Sequence, residues 1–94
     1  MKLTEQELSK ALSTLQGWTR KGDSIQRIFK LPSFADAIAF VTRLAFDAEA
    51  NDHHPDLQVS YKTVTVTWST HSDGGVTAKD IKGAKQTEAL AKRY

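Results

Sequence analysis

The stretch "LQVSYKTVTVTW" constrains this chain most. Leu57, Val59 and Tyr61 alternate with polar residues, and so do Val64, Val66 and Trp68. Such alternation marks half-buried strands. The phase reverses at Lys62-Thr63. Within one strand, a one-residue slip would turn every later side chain to the opposite face. A tight turn at the slip removes the conflict and makes two antiparallel strands. The turn chemistry is weak, since neither Gly nor Asn is present.

The rest of the chain falls into place around this hairpin. "TEQE" is a capping box at Thr4 and Glu7, with Leu3 and Leu8 at staple positions. It opens a helix with Leu8, Ala11, Leu12 and Leu15 on one face and Gly17 as its stop. "GWTRKGDSIQRIFKL" reads as a second hairpin turning at Gly22-Asp23. Its second strand puts Ile25, Phe29 and Leu31 on one face, broken by Arg27, with Ile28 on the other. A long helix follows, with Ser33 and Asp36 at capping-box spacing. Its expected buried stripe is Ala37, Ile38, Val41, Leu44, Ala45 and Ala48. Phe46 lies off that stripe beside Ala35 and Ala39, a second small apolar patch. After "HSDGG", Thr77 and Asp80 form another capping box and open a last, weakly amphipathic helix. The predicted class is α+β, in the order α-β-β-α-β-β-α. A single four-stranded antiparallel sheet has three helices packed on one face.

The length of 94 residues implies one domain over 1–94 with a modest core, which oligomerisation would extend. There are no cysteines, which removes disulfides and thiol nucleophiles and fits a reducing compartment. No window approaches the roughly 18 apolar residues of a membrane span. The N-terminus lacks a signal-peptide run. A cytoplasmic location is expected, with the nucleus open to a eukaryotic protein. The net charge is +2, from 13 basic and 11 acidic residues. Acids interrupt the basic runs, so direct nucleic-acid binding is not expected.

The chain has three histidines. His53 and His54 stand in "NDHHPD", and Pro55 takes the residue before it out of helical geometry. They therefore sit at a helix-to-strand joint, where a scaffold tends to present functional groups. The hairpin reading carries His71 to the same end of the sheet. Adjacent histidines are a poor chelating pair, because His-rich zinc sites typically use an i, i+4 pair on a helix or an i, i+2 pair on a strand. General acid–base chemistry suits imidazoles at cell pH better. The bland alternative is that they only cap the helix dipole. Glu49 and Asp52 flank the doublet and could orient a ring or be solvated. Ser69, Thr70 and Ser72 stand near His71 without forming a nucleophilic triad.

At these residues the sequence resembles the pterin-4a-carbinolamine dehydratases. The likeness rests on Glu49, His53-His54-Pro55, Tyr61, Thr70-His71 and Asp80, with Gly17-Trp18 and the run Phe34, Ala37, Phe40, Arg43. It spans essentially the whole chain. It implies the same α+β fold and a metal-independent lyase with no cofactor. The substrate is a 4a-hydroxytetrahydropterin, which loses water to give quinonoid dihydropterin. His53 and His71 become the acid/base pair, and His54 binds and orients the pterin. Thr70, Ser72 and Asp73 hold the pterin edge, Pro55 and Trp18 complete the site, and Glu49 and Asp80 support it from behind. The expected partners are the pterin, an aromatic amino-acid hydroxylase by functional coupling, and further copies of the chain in a dimer or tetramer. Relatives in animals also act as dimerisation cofactors for a transcription factor, so an interaction module working through a helix face is the alternative. One departure stands out: many members carry Trp where this chain has Leu57.

Overall fold

The computed structural model describes residues 1–94. Helix α1 (Glu5–Ser13) leads to strands β1 (Thr19–Lys21) and β2 (Ser24–Lys30). Helix α2 (Phe34–Asn51), strands β3 (Asp56–Ser60) and β4 (Thr63–Trp68), and helix α3 (Ala78–Ala91) complete the order α-β-β-α-β-β-α. The strands make one antiparallel sheet in the order β1-β2-β4-β3. No helix is long and apolar enough to cross a membrane.

The phase slip is a two-residue turn. Val59 pairs with Val64 and Ser60 with Thr63, leaving Tyr61 and Lys62 in the loop. Tyr61 takes φ = 53°, the left-handed conformation that glycine adopts more cheaply. The conformation is therefore present without the residue that usually signals it. On β4, Val64, Val66 and Trp68 are buried while the threonines between them are half-buried. The apolar face of the sheet forms one core with Leu8, Phe40, Leu44 and Ala84 from the helices and Leu15 from the turn after α1. Phe29 and Phe40 lie 5.4 Å apart, and Trp18 and Tyr94 extend the aromatic row at either end.

Two expectations are corrected. Helix α1 stops at Ser13, ahead of Gly17, because the hydroxyls of Ser13 and Thr14 donate to the carbonyls of Lys10 and Ala11. Helix α2 buries Ala37, Phe40, Leu44 and Ala48, with Val41 at the margin. Ile38 and Ala45 are exposed. Burying the Phe40 ring against Phe29 rotates the helix away from Ile38, and a buried phenyl is worth about 1.5–3 kcal/mol. The rotation leaves Phe34, Ile38 and Phe46 on the outer face. At the N-terminus of α2, Ser33 accepts from the Asp36 N–H, but the Asp36 carboxylate takes the Ser33 hydroxyl instead of closing a full box.

Candidate active site

Helix α2 ends just before the histidine doublet. Asp52 adopts φ = 50°, and its N–H donates to Ala48 and Glu49 carbonyls. The His53 N–H donates to the Ala48 carbonyl at 3.2 Å. This is the paired six-to-one and five-to-two closure of a Schellman ending, with Asp where glycine is common. It turns the His53 side chain back under the sheet. There the imidazole stacks on Trp68, with centroids 5.3 Å apart and planes at 25°.

His53 Nε2 lies 2.6 Å from Asp80 Oδ1, and the Asp80 side chain is wholly buried. The other oxygen of Asp80 accepts from the Thr77 N–H at 2.9 Å and from the Thr70 hydroxyl at 2.7 Å. The Thr77 hydroxyl lies 2.8 Å from that of Thr70. Every group around Asp80 is thus a donor. A carboxylate only accepts, so in its neutral form the His53 ring facing Asp80 carries its proton on Nε2 and keeps a lone pair on Nδ1. The capping box that opens α3 and the anchor of His53 are one structure. Sequence spacing alone accounts for only the first.

His54 repeats the motif in the open. Its Nε2 lies 2.5 Å from Glu49 Oε2, with side-chain exposures of 54% and 74%. His53 itself is 15% exposed, so the two neighbours differ in burial while each turns Nε2 to a carboxylate. The β3–β4 register pairs Asp56 with Thr67, so the start of β3 lies beside the end of β4. His71 follows that end in a short 3-10 turn, His71–Asp73, and is exposed. Ser72 donates to Asp73 at 3.2 Å. The Met1 ammonium and this hydroxyl hold the Asp73 carboxyl below its ordinary value.

Other expected site residues have structural occupations. The Thr70 hydroxyl is spent on Asp80 and Thr77, and its backbone closes a loop with Gly75. Trp18 is buried, and its Nε1–H donates to Glu88 at 2.7 Å. Pro55 is half-buried beside the doublet. Leu57 is half-buried and packs against the core.

A cavity of about 200 Å³ opens beside His53. Its walls are Asn51, His53, Trp68, Lys79, Lys82, Gly83 and Gln86. His54, His71 and Trp18 are not part of its lining. The sequence reading assigned none of Trp68, Gly83 and the α3 lysines to the site, although it placed Trp68 on a strand. Trp68 could have been found, since its phase on β4 directs it to the buried face at the end nearest the histidines.

The comparisons with known proteins agree with one another. A family model described as pterin 4 alpha carbinolamine dehydratase matches residues 1–90. A Roseiflexus castenholzii protein provisionally named pterin-4-alpha-carbinolamine dehydratase is 47% identical over 88 residues, covering 94% of this chain and 95% of its own. A Nocardia farcinica protein of the same provisional name is 47% identical over 90 residues, covering 96% and 95%. A crystal structure from Brucella melitensis, described as a transcriptional coactivator/pterin dehydratase, superposes with a TM-score of 0.94 at 42% identity. That match covers 97% of this chain and 99% of the other. With a match over nearly its full length in family model, sequence and fold, the chain belongs to the pterin-4a-carbinolamine dehydratase family.

Proposed function

We propose that this protein catalyses the dehydration of 4a-hydroxytetrahydropterin to quinonoid dihydropterin by histidine acid–base chemistry. The observation that carries the reading is the His53 imidazole. It is stacked on Trp68 and anchored through Nε2 to buried Asp80, with Nδ1 left as the basic nitrogen. The reaction breaks the C4a–O bond. The hydroxyl leaves as water once it gains a proton, and the N5 proton is lost so that its electron pair closes a C4a–N5 double bond. In this reading His53 Nδ1 takes the N5 proton and His71 supplies the proton to the leaving hydroxyl. Such a positioned group contributes about 10²–10⁴-fold each. His54, oriented by Glu49, binds the pterin. Ser72, Asp73 and the Thr70 segment border it on the His71 side. No cofactor or metal takes part in the step. In a cell with an aromatic amino-acid hydroxylase, the reaction returns that enzyme's spent pterin, and the cytoplasm is the expected setting.

The test follows the absorbance of the 4a-carbinolamine with purified protein and no added metal. Acceleration is expected in the wild type, with a large loss in His53→Ala and in His71→Ala. Normal rates in both variants would remove the assignment.

A second reading rests on the outer face of α2. Phe34, Ile38 and Phe46 are exposed there at 52%, 42% and 66%. This face suits association into a dimer or tetramer, or docking to another protein as a coactivator does. Phe46→Asp should lower the assembled mass in sedimentation. An unchanged mass would leave the face without that role.

A further inference from the structure

The cavity beside His53 has a cationic lining. Lys79 and Lys82 line it, and no carboxylate does. Both acids of α3 face elsewhere. Asp80 is committed to His53, Thr70 and Thr77, while Glu88 accepts from Trp18 and pairs with Arg27. The ion pairs of the protein use Met1, Arg20, Arg27, His53 and His54, so neither lysine is neutralised by a carboxylate. Lys79 acts weakly on Asp73, which the Met1 ammonium already holds. Asn51 Nδ2 donates to Gln86 Oε1 at 2.8 Å and closes one wall. The Gln86 amide N–H groups make no other hydrogen bond within the protein. Two exposed lysines without a carboxylate partner and the Gln86 amide therefore line one small recess, next to the ring proposed to act on the pterin.

The recess lies below the range of about 300–1,000 Å³ usual for whole ligands. It suits a substituent. We propose that it is an anion subsite, in which Lys79 and Lys82 receive a carboxylate or phosphate group carried on the pterin. The proposal rests on the dehydratase reading and adds a preference for negatively charged substrates. A single charge facing two ammonium groups near a protein surface favours binding by roughly tenfold or more at low salt, and screening reduces this.

The experiment compares two ligands by quenching of pterin fluorescence: pterin-6-carboxylate and the neutral 6-hydroxymethylpterin. At low ionic strength the carboxylate should bind about tenfold tighter in the wild type, by the same Coulomb argument. The ratio should shrink in 0.5 M salt (on the order of a 4 Å screening length). It should fall partway in Lys82→Gln and near one in Lys79→Gln/Lys82→Gln. Competition by inorganic phosphate in the wild type extends the subsite to phosphate esters, and its absence restricts it to carboxylates. Equal affinity for the two pterins, or a preference that survives the double substitution, overturns the proposal. Dehydration of a neutral 4a-hydroxytetrahydropterin separates the two ideas. Turnover without the preference overturns the subsite alone, and preference without turnover overturns the dehydratase reading alone.

Discussion

Replacing Asp80 with asparagine isolates the tautomer of His53 from the stability of the fold. Asp80 accepts three hydrogen bonds while fully buried. In Asp80→Ala the Thr77 N–H, the Thr70 hydroxyl and His53 Nε2–H all lose their acceptor. Removing one partner from a buried polar set of this kind costs about 3–5 kcal/mol. At roughly 4–8 °C per kcal/mol for a chain of this size, Tm falls by at least about 12 °C. Asparagine is isosteric. Its single carbonyl oxygen can take the place of Oδ2, keeping the Thr77 cap and the Thr70 bond. Its NH₂ then faces His53 Nε2. Two donors cannot meet, so the neutral ring must accept at Nε2 and carry its proton on Nδ1. One bond's worth, about 1–2 kcal/mol, is the expected stability loss. The catalytic cost is far larger, because the basic nitrogen is gone: kcat should fall about 10²–10⁴-fold. Urea unfolding measures the first quantity, carbinolamine decay the second, and ¹⁵N NMR of the ring reports the tautomer directly. An asparagine variant that keeps Nε2–H, or that turns over at the wild-type rate, would refute the reasoning. So would a stability loss equal to that of the alanine variant.

Three further outcomes are expected. A Cβ at Gly83 would lie 2.6 Å from Trp68 Cε2, so Gly83→Ala should shift the indole under His53. Overpacking of about 1–3 kcal/mol outweighs the gain of about 1 kcal/mol in helix propensity. Tm should drop and tryptophan fluorescence change, whereas a higher Tm with an unchanged spectrum would count against the contact. Tyr61→Gly should raise stability by about 0.5–1 kcal/mol, since it relieves a left-handed φ at an exposed turn; equal urea midpoints would mean the turn is unstrained. Asp73 has its carboxyl lowered from 3.8 by the Met1 ammonium and the Ser72 hydroxyl. The unfolded chain therefore takes up the proton first as pH falls. The contribution is present above pH 3.8 and vanishes as pH drops through the lower folded value. The Tm difference between wild type and Asp73→Asn should follow that course, and a gap that persists at the acid end would contradict it.

Much of the molecule was legible along the chain because its signals are local. Thr4 and Thr77 cap their helices through residues three positions on, and such bonds need no tertiary partner. The reversal at Lys62-Thr63 located the central hairpin, because side-chain direction has a period of two. The doublet before Pro55 and the return of β4 put three histidines at one end of the sheet by topology alone.

What only the tertiary structure decided are choices between faces. Helix α2 has apolar residues on opposite sides, and the Phe29 ring chose the side holding Phe40. That choice exposed Phe34, Ile38 and Phe46. In α3, three lysines (Lys79, Lys82, Lys85) and two acids (Asp80, Glu88) are spread along the sequence, and nothing in their order says which face each takes. Packing on β4 turns Asp80 under His53 and Glu88 towards Arg27 and Trp18, which leaves Lys79 and Lys82 around a recess without counter-charges. The same packing made a capping residue into the anchor of an imidazole. Local hydrogen bonds are specified within a few residues, but a partner brought from 27 positions away exists only once the core has formed.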